Sequence, residues 1–542
     1  MIKGRGTTRR GLLKSVAAGG LAGIGGAALG GRAPALAQSA AARVMKFVPQ
    51  ANLTILDPIW TTAAVTAAHG YYVYDTLFGV DENLAPKPQM AEGFQRSSDN
   101  KTYTIKLRDG LKFHDNEPVR AADCVASIKR WGARDPFGQS IIRLSDEIRA
   151  VDDRTIELKF KQPFLLLIDA LAKPQSNVCF VMPERVANTD PNTQISEHIG
   201  SGPYRFLRNE YVSGNKAVYT KFDGYVPRQE APNWTSGGKV AHFERIEWLI
   251  IPDANTASGA LQAGEVDWWE MPLNDLIPVL QRNRNIAIEV LDTTGYIGML
   301  RFNHLHPPFD KVGVRRAILG AVNQEDYLRA IMGDDQTAWR TCFSVWPCGS
   351  PFANDTGADA LKGSHDLEAA KRALREGGYN GEKVVILNPT DFPTIAPMGQ
   401  VTNALLRQLG MNVELVETDW GTVVQRRTSR EPTERGGWSI FHTWWGGASI
   451  FNPAVNATMR GNGAGAWFGW PTDPQSEELH ASWLTAPTPE EQMRIATGIQ
   501  RRAFETAPMV PLGQFFIRTG YRRSLTGVLK GPSPYPWNVR RA

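Results

Sequence analysis

Histidines beside other polar groups are the first residues of this chain that could perform acid–base chemistry or bind a metal. His114 precedes Asp115, and His304 and His306 alternate as they would on one face of a strand. A catalytic or metal site needs further groups, and neither set has another ligand beside it in the sequence. A hydrogen-bonded turn is therefore the better interpretation of His114, and loop or surface positions are expected for His304 and His306.

Motifs of the common hydrolases, metalloproteases and redox enzymes do not occur in the chain. It contains no Gly-x-Ser-x-Gly, His-Glu-x-x-His or Cys-x-x-Cys. The glycines at 461, 463 and 465 precede Ala-Trp-Phe rather than a helix, which makes them a poor dinucleotide loop. Carboxylates are plentiful, but the sequence pairs no two of them for acid–base catalysis. We therefore expect a protein that is not an enzyme, with a hydrolase as the alternative.

Tryptophan is the residue type that most favours a ligand-binding role. The chain has 16 tryptophans, and Trp444, Trp445, Trp467 and Trp470 lie close together beside glycine-rich loops. Indole faces stack on flat or cationic ligands, although packing in the core is the alternative for any tryptophan. We expect core packing for about half of these four. The pair that precedes a double glycine is the better candidate for contact with a ligand.

The first 37 residues have the composition of an export signal. Five basic residues precede a mildly apolar, Gly- and Ala-rich run at residues 16–30, and no acidic residue occurs before Asp57. That run is too short and too glycine-rich for a membrane anchor. Residues 35–37 (Ala-Leu-Ala) fit a small-x-small cleavage site, and residues 8–14 (Thr-Arg-Arg-Gly-Leu-Leu-Lys) resemble a twin-arginine signal. We expect a periplasmic protein that is cleaved after about Ala37.

Removal of this leader makes the protein close to neutral. The leader holds six of the 60 basic residues and none of the 55 acidic ones, so the remaining chain has a formal net charge of −1. Balanced, dispersed charge argues against nucleic acid as a partner.

Two of the four cysteines are spaced for a disulfide. Cys342 and Cys348 flank Phe-Ser-Val-Trp-Pro, a spacing that can close a small loop in an exported protein. Cys124 lies on a predicted helix and Cys179 in an apolar strand, so both are expected to be buried as small hydrophobic side chains. We therefore predict one bond, between Cys342 and Cys348.

The elements that must position these residues alternate between strand and helix. Residues 384–387 form an apolar strand, residues 397–409 a helix and residues 411–416 a second strand. That β–α–β order predicts parallel strands joined by a right-handed crossover. Without its leader the chain has about 505 residues, which is too many for a single core. We therefore predict an α/β fold with two or more lobes.

The most specific stretch of the sequence is residues 91–131. It predicts a strand at 103–107 and a helix from 121 to 131, in which Cys124, Ile128 and Trp131 form one buried stripe. Its order of Ala-Glu, Ser-x-Asp, Tyr-Thr, Leu-Arg-x-Gly, Lys-Phe-His-Asp, Pro-Val, Ala-x-Asp and Ser-Ile-x-Arg resembles the family 5 extracytoplasmic solute-binding proteins. These are the peptide, nickel and opine binders of ABC importers. So many matched positions are far more specific than a short motif.

Other parts of the chain resemble the same family. They are Leu-Asp-Pro at 56–58, Tyr-Asp-Thr-Leu-Phe at 74–78, Gly-Ser-Gly-Pro-Tyr at 200–204, Gly-Glu-Val-Asp at 264–267 and the whole of 303–321. The resemblance implies an α/β, two-lobe periplasmic-binding-protein fold, hinged and with an extra subdomain inserted in the first lobe. Such proteins close on a ligand and deliver it to a membrane permease. ABC transporter permease subunits are therefore the expected partners of a monomer that needs no cofactor.

The resemblance also implies domain boundaries. Residues 1–37 are the signal peptide, residues 38–292 the first lobe and residues 293–507 the second lobe. The inserted subdomain is expected at about 81–199, and residues 508–542 are expected to complete the first lobe. The hinge strands are expected near residues 291–303 and 508–514.

The charged anchors of the family's dipeptide-binding branch are replaced in this chain. Thr390-Asp391 stands where the branch has a basic residue for the ligand carboxylate, and residues 441–448 lack the acid that holds the ligand amino group. We therefore expect a peptide or peptide-like nitrogenous solute, held by aromatic faces and backbone groups and not by a resident metal. A nickel or metal chelate bound through His442 and an oligosaccharide stacked on tryptophan are the alternatives. The expected ligand contacts are Tyr71, Ser201, Asp391, His442, Trp444, Trp445, Gly446 and Gly447.

Export predicts a defined mature N-terminus. Mass spectrometry of the protein recovered from the periplasm should find a chain that begins near Gln38, because small residues stand at positions 35 and 37 as signal cleavage requires. An uncleaved chain retained in the cytoplasm would contradict this prediction.

Overall fold

The structure is a computed structural model of the chain, and it describes residues 43–542. The expected signal peptide at residues 1–37 lies outside the described residues. Within the described part, none of the helices combines the length and the apolarity needed to cross a bilayer.

The described residues alternate between strands and helices, as the sequence predicts. In chain order the strands are β1 Val44–Val48, β2 Asp75–Thr76, β3 Phe78–Val80, β4 Pro86–Pro88, β5 Ala91–Arg96, β6 Thr102–Leu107, β7 Ser145–Ala150, β8 Thr155–Phe160, β9 Phe180–Val181, β10 Tyr204–Phe206, β11 Lys216–Lys221, β12 Arg245–Leu249, β13 Trp268–Trp269, β14 Ile286–Val290, β15 Tyr296–Phe302, β16 Trp339–Arg340, β17 Lys383–Pro389, β18 Asn412–Thr418, β19 Ile440–Gly446, β20 Met509–Phe515, β21 Arg518–Arg522, β22 Leu525–Thr526 and β23 Arg540–Arg541. The α-helices are Ala64–Val73, Ala121–Gly132, Pro136–Leu144, Leu167–Leu171, Glu184–Ala187, Ala254–Ala263, Ile277–Gln281, Val312–Ala321, Gln324–Met332, Leu367–Glu376, Ala396–Gln408, Trp420–Arg426, Gly447–Ile450, Pro474–Leu484 and Pro489–Thr506.

A seven-stranded sheet is built mainly from the first half of the chain. Its strand order is β10-β11-β12-β1-β13-β21-β14, and β1 is parallel to both of its neighbours, β12 and β13. Phe47 on β1 packs between Trp248 and Trp268, at ring distances of 5.5 and 5.3 Å. All three side chains are buried, so large aromatic groups form the core against the centre of this sheet.

A six-stranded sheet is built from the second half of the chain. Its order is β16-β20-β15-β19-β17-β18, and β17 pairs in parallel with both β18 and β19. The helix Ala396–Gln408 connects β17 to β18. The predicted β–α–β unit is therefore confirmed. Residues 384–389 of β17 are buried, which explains why this strand is a continuous apolar run rather than an alternating one.

The specific stretch at residues 91–131 belongs to a separate four-stranded sheet and its helix. The sheet has the order β5-β6-β8-β7, and its strand β6 is the strand predicted at 103–107. The predicted helix is Ala121–Gly132, where Cys124, Ile128 and Trp131 are at most 1% exposed. The strand, the helix and its buried stripe are all confirmed.

A buried ion pair joins this helix to the Leu-Asp-Pro motif. Arg130 donates to the two carboxylate oxygens of Asp57 at 3.1 and 2.7 Å, and both side chains are at most 2% exposed. Removal of either partner would leave an uncompensated buried charge. The two motifs are therefore needed together, although they are distant in sequence.

The histidines highlighted by the sequence bond to the backbone. His114 Nε2 lies 3.0 Å from the carbonyl oxygen of Gly202, so this ring helps to hold the turn at 200–204. His304 and His306 lie in a loop, and each contacts a different backbone carbonyl. Both interpretations are confirmed. Among residues 43–542, no three His, Cys, Asp or Glu side chains are grouped so that they could hold a metal.

The chain passes between the two large sheets at two short segments. Residues 291–295 connect β14 to β15, and residues 516–517 connect β20 to β21. β20 pairs with β15 in the six-stranded sheet. β21 pairs with β13 and β14 in the seven-stranded sheet, so the chain leaves the six-stranded sheet after β20.

The cysteines are arranged as the sequence predicts. Cys342 and Cys348 are joined by a disulfide, with their Cα atoms 5.8 Å apart. Cys124 and Cys179 are free and buried, and burial raises the pKa of both thiols.

Non-reducing peptide mapping of the exported protein should recover Cys342 and Cys348 in one linked fragment. Cys124 and Cys179 should react with a thiol reagent only after unfolding, because a buried thiol with a raised pKa forms little thiolate. Free thiols at positions 342 and 348 would contradict the predicted pairing.

Candidate ligand-binding cavity

One cavity lies where several parallel strands of both large sheets end. Gln50 follows β1 and Glu270 follows β13, and these two strands are parallel neighbours. On the other side Phe392 follows β17, Trp420 follows β18 and Trp444 lies at the end of β19. Open α/β sheets characteristically bind ligands beyond the carboxyl ends of their strands. The topology thus places this cavity where a ligand site is expected.

Indole rings form one wall of the cavity. Trp444 packs edge-on against Tyr296 at 4.6 Å and donates its N–H to Thr394 Oγ1 at 2.9 Å. Trp445 packs edge-on against Trp467 at 5.2 Å. Trp444, Trp445 and Trp467 all line the cavity. Their protein contacts hold the rings in place, so a ligand meets preformed aromatic surfaces.

Trp470 is the member of the tryptophan cluster that does not line the cavity. Its ring lies 6.0 Å from Trp438, and the guanidinium of Arg430 covers it at 4.9 Å. It is 5% exposed and packs in the core. The expectation of core packing is thus met for this tryptophan.

The double glycine after Trp445 lets the end of β19 approach two other segments. A Cβ atom at Gly446 would lie 2.5 Å from Gln175 Oε1, and one at Gly447 would lie 2.6 Å from the carbonyl oxygen of Thr294. Gln175 Oε1 also accepts a hydrogen bond from Ser449 at 2.7 Å. At Gly447 a larger side chain would meet backbone and push this corner of the cavity apart, so close approach requires glycine there. At Gly446 the Gln175 side chain would have to move.

Tyr71 also lines the cavity, from the helix Ala64–Val73. Its hydroxyl donates to the carbonyl oxygen of Pro174 at 2.5 Å. Its ring packs edge-on against Phe180 and Tyr535. Because the hydroxyl is already bonded, Tyr71 offers its ring rather than its proton.

Four of the eight expected contact residues do not line this cavity. Ser201 bonds to the carbonyl oxygen of Val181 at 3.3 Å, inside the first half of the structure. His442 lies 2.7 Å from the hydroxyl of Thr402 on the helix Ala396–Gln408, which covers that face of β19. Burial lowers the pKa of His442 to about 3, so the ring is neutral.

Asp391 and Gly447 complete this group. The Asp391 carboxylate accepts the backbone N–H of Trp420 at 2.7 Å, at the start of the helix Trp420–Arg426. Gly447 begins the short helix Gly447–Ile450. Tyr71, Trp444, Trp445 and Gly446 therefore remain the predicted ligand contacts that the cavity brings together.

Two charged residues of the cavity do not stand out in the sequence. Glu270 and Arg427 are, among the described residues, the only acidic and the only basic side chains of the lining. No feature distinguishes Arg427 among the 60 basic residues of the chain. One sequence feature could have identified Glu270. It follows a short strand that ends in Trp268-Trp269, and ligands bind at the carboxyl ends of parallel strands.

Glu270 is a carboxylate without a cation. Its Oε2 accepts the backbone N–H of Gln50 at 2.8 Å, and among residues 43–542 it forms no salt bridge. Burial raises the pKa of Glu270 to about 7. The group therefore holds its proton in mildly acidic solution, and a positive group of a ligand would favour its ionised form.

Arg427 is a cation without an anion. The side chain is 1% exposed, and Nη2 donates to Thr61 Oγ1 at 3.3 Å. Its Nε has no hydrogen-bond partner. Burial lowers its pKa to about 9, and four aromatic rings lie within 6 Å of the guanidinium carbon.

Known proteins resemble this chain over nearly its whole length. The sequence profile of the bacterial extracellular solute-binding proteins, family 5 Middle, matches residues 85–467. A probable peptide ABC transporter periplasmic-binding protein of Sinorhizobium fredii is 39% identical over 493 residues, which cover 91% of this chain and 92% of that protein. A glutathione-binding protein of Pectobacterium atrosepticum is 27% identical, over 88% of this chain and 89% of that protein.

Solved structures share the fold. A dipeptide-binding protein of Pseudoalteromonas, in complex with Met-Leu, has a TM-score of 0.76 at 21% identity, over 92% of this chain and 100% of that chain. A periplasmic binding protein of Agrobacterium tumefaciens, in complex with agropinic acid, has a TM-score of 0.75 at 22% identity, over 92% and 99%. The predicted α/β periplasmic-binding-protein fold is therefore confirmed.

The raised pKa of Glu270 predicts a pH-dependent cost. The folded protein keeps this proton up to about pH 7, whereas the unfolded chain loses it near the ordinary value of 4.5. Stability should therefore fall as the pH rises through this range. Glu270→Gln keeps an acceptor for the Gln50 N–H and removes the charge. Its free energy of unfolding should be about 1–3 kcal/mol higher than that of the parent at pH 8 and equal to it at pH 4.

Urea denaturation of both proteins at the two pH values measures this difference. Glu265→Gln is the matched control, because Glu265 is exposed in the same segment and its substitution should leave stability unchanged at both pH values. Equal stability of Glu270→Gln and the parent at pH 8 would show that Glu270 ionises normally.

Proposed function

This chain belongs to the bacterial extracellular solute-binding proteins of family 5, and we propose that it captures a peptide or peptide-like nitrogenous solute for an ABC import system. The observation that carries this proposal is the aromatic cavity at the carboxyl ends of strands from both large sheets. Two relatives, a probable peptide transporter component and a glutathione-binding protein, support the same solute class. The ligand would then pass to permease subunits in the inner membrane.

The proposed mechanism is closure of two lobes on the ligand. The first lobe is built on the seven-stranded sheet and carries the four-stranded sheet within the inserted subdomain. The second lobe is built on the six-stranded sheet. The segments at residues 291–295 and 516–517 are the proposed hinge, because the polypeptide links the two large sheets there. Contacts such as Trp467 Nε1 to Thr62 Oγ1, at 3.2 Å, would form on closure. The protein would act as a monomer in the periplasm, freed from a twin-arginine signal that ends near residue 37.

The cavity favours stacking over metal coordination. Its walls offer indole and phenol faces, which suit peptide side chains, planar groups and cations. His442, the ligand required by the nickel alternative, is buried against Thr402 away from the cavity. An oligosaccharide remains the alternative that the same tryptophans would suit. The protein binds its solute without turnover in this proposal, as solute-binding proteins of transporters do.

A thermal-shift screen tests the proposed function. The panel contains peptides, opines, polyamines, sugars and chelated metals, and peptides should raise the melting temperature of the parent protein. Trp445→Ala should bind the best peptide about 2- to 30-fold more weakly, because stacking in a desolvated site is worth about 0.5–2 kcal/mol. Isothermal titration of both proteins measures the ratio.

Trp339→Ala is the matched control for loss of a buried indole. Trp339 is 6% exposed and Trp445 is 5% exposed, but Trp339 lies at the edge of the six-stranded sheet, outside the cavity lining. It should bind as the parent does. Unchanged affinity of Trp445→Ala would mean that this tryptophan only packs the core, and a response to sugars alone would replace the peptide with an oligosaccharide.

A further inference from the structure

We propose that Arg427 anchors a carboxylate of the ligand. The inference rests on the proposed function and narrows the ligand to solutes with a free carboxylate at the end that lies beside Arg427 in the cavity. Arg427 directly follows the last residue of the helix Trp420–Arg426. The anchor therefore lies elsewhere than in the segment after β17, where the dipeptide-binding branch has its basic residue.

A comparison of the buried arginines singles out Arg427. Arg130 is paired with Asp57 through two hydrogen bonds, and Arg460 is paired with Glu477. Arg301 donates to four backbone carbonyl oxygens, and Arg315 donates to carbonyl oxygens with all three of its nitrogens. Arg427 donates to one hydroxyl, and its Nε has no partner. The donors of the other four guanidinium groups are used within the protein, whereas Arg427 keeps unused donors at the cavity.

The aromatic surroundings hold the Arg427 guanidinium without neutralising it. Its carbon lies 4.8 Å from the ring centre of Phe468, 5.4 Å from that of Trp420 and 5.5 Å from that of Phe441. Cation–π contacts attract a guanidinium to ring faces and leave the N–H groups at its edge available. The position of the group is therefore set before a ligand arrives, which lowers the entropic cost of binding.

The charge of Arg427 is uncompensated inside the protein. Among the described residues it forms no salt bridge, and Glu270, which lines the same cavity, is not within ion-pairing distance of it. A buried charge without a counter-charge is unfavourable, and a carboxylate that accepts two parallel N–H groups is its best partner. A ligand carboxylate would satisfy the donors that the protein leaves free.

The first test needs no ligand. Thermal unfolding of the ligand-free protein compares Arg427→Met with Arg301→Met. Loss of an uncompensated cation should leave the melting temperature of Arg427→Met equal to or above that of the parent. Arg301→Met should melt several degrees lower, because four buried carbonyl oxygens lose their donor. Equal destabilisation by the two substitutions would overturn the proposal, since Arg427 would then be structural.

The second test uses two tripeptide libraries without Asp or Glu, one with free C-terminal carboxylates and one with C-terminal amides. The affinities derived from thermal shifts should show that the parent binds the free acids at least tenfold more tightly than the amides. Arg427→Met should lose this preference, and Arg427→Lys should restore part of it, because lysine supplies charge without the bidentate fork. An equal response of the parent to both libraries would overturn the anchor and leave the proposed function intact.

Failure of the proposed function is distinguishable from failure of the anchor. If the parent responds to neither library, the peptide proposal is wrong, and the ligand-free comparison decides the role of Arg427. An unchanged or raised melting temperature of Arg427→Met then supports an anion site for another carboxylate-bearing solute. A melting temperature of Arg427→Met that is lowered as much as that of Arg301→Met overturns the proposed anion site.

Discussion

The need to compensate buried charge shapes this structure more than any single hydrophobic contact. Lys239 is 1% exposed and lies 2.7 Å from the fully buried Asp75, and Lys173 is buried in the same way against Asp135. With Arg130 and Asp57, these pairs connect segments that are far apart in the chain. A buried ion pair adds little net stability over apolar packing, but loss of one partner costs several kcal/mol, or roughly 3–5. The pairs therefore specify which segments meet.

The cavity is one place where charged side chains lack a counter-charge. Arg427 is buried and Glu270 is half-buried, yet neither has a counter-charge among the described residues. Desolvation favours the neutral form of each group. It raises the pKa of the Glu270 carboxyl and lowers the pKa of the Arg427 guanidinium. A binding protein gains from such a cost, because the ligand supplies the missing partners and the bound state recovers the energy.

Rigid surroundings make this possible. Trp444 is fixed by contacts with Tyr296 and Thr394, and the double glycine lets β19 end close to Gln175 and Thr294. Strand ends and the loop residues 174–176 and 532–534 together form the cavity. Segments of both large sheets contribute to the cavity, so the proposed motion about residues 291–295 and 516–517 would open and close it.

The sequence by itself determined the α/β fold class, the β–α–β unit at residues 384–416, the helix at 121–131 and the Cys342–Cys348 pairing, because periodicity, turn residues and short cysteine spacing act over short distances in the chain. It also indicated Trp444 and Trp445, whose clustering is visible without a structure. Only the tertiary structure decided that His442 lies under the helix Ala396–Gln408, that Ser201 bonds inside the first half, and that Glu270 and Arg427 share one cavity. A charged residue is recognised as a ligand anchor only when its partners are counted in space, and the sequence does not record which buried charges are left unpaired.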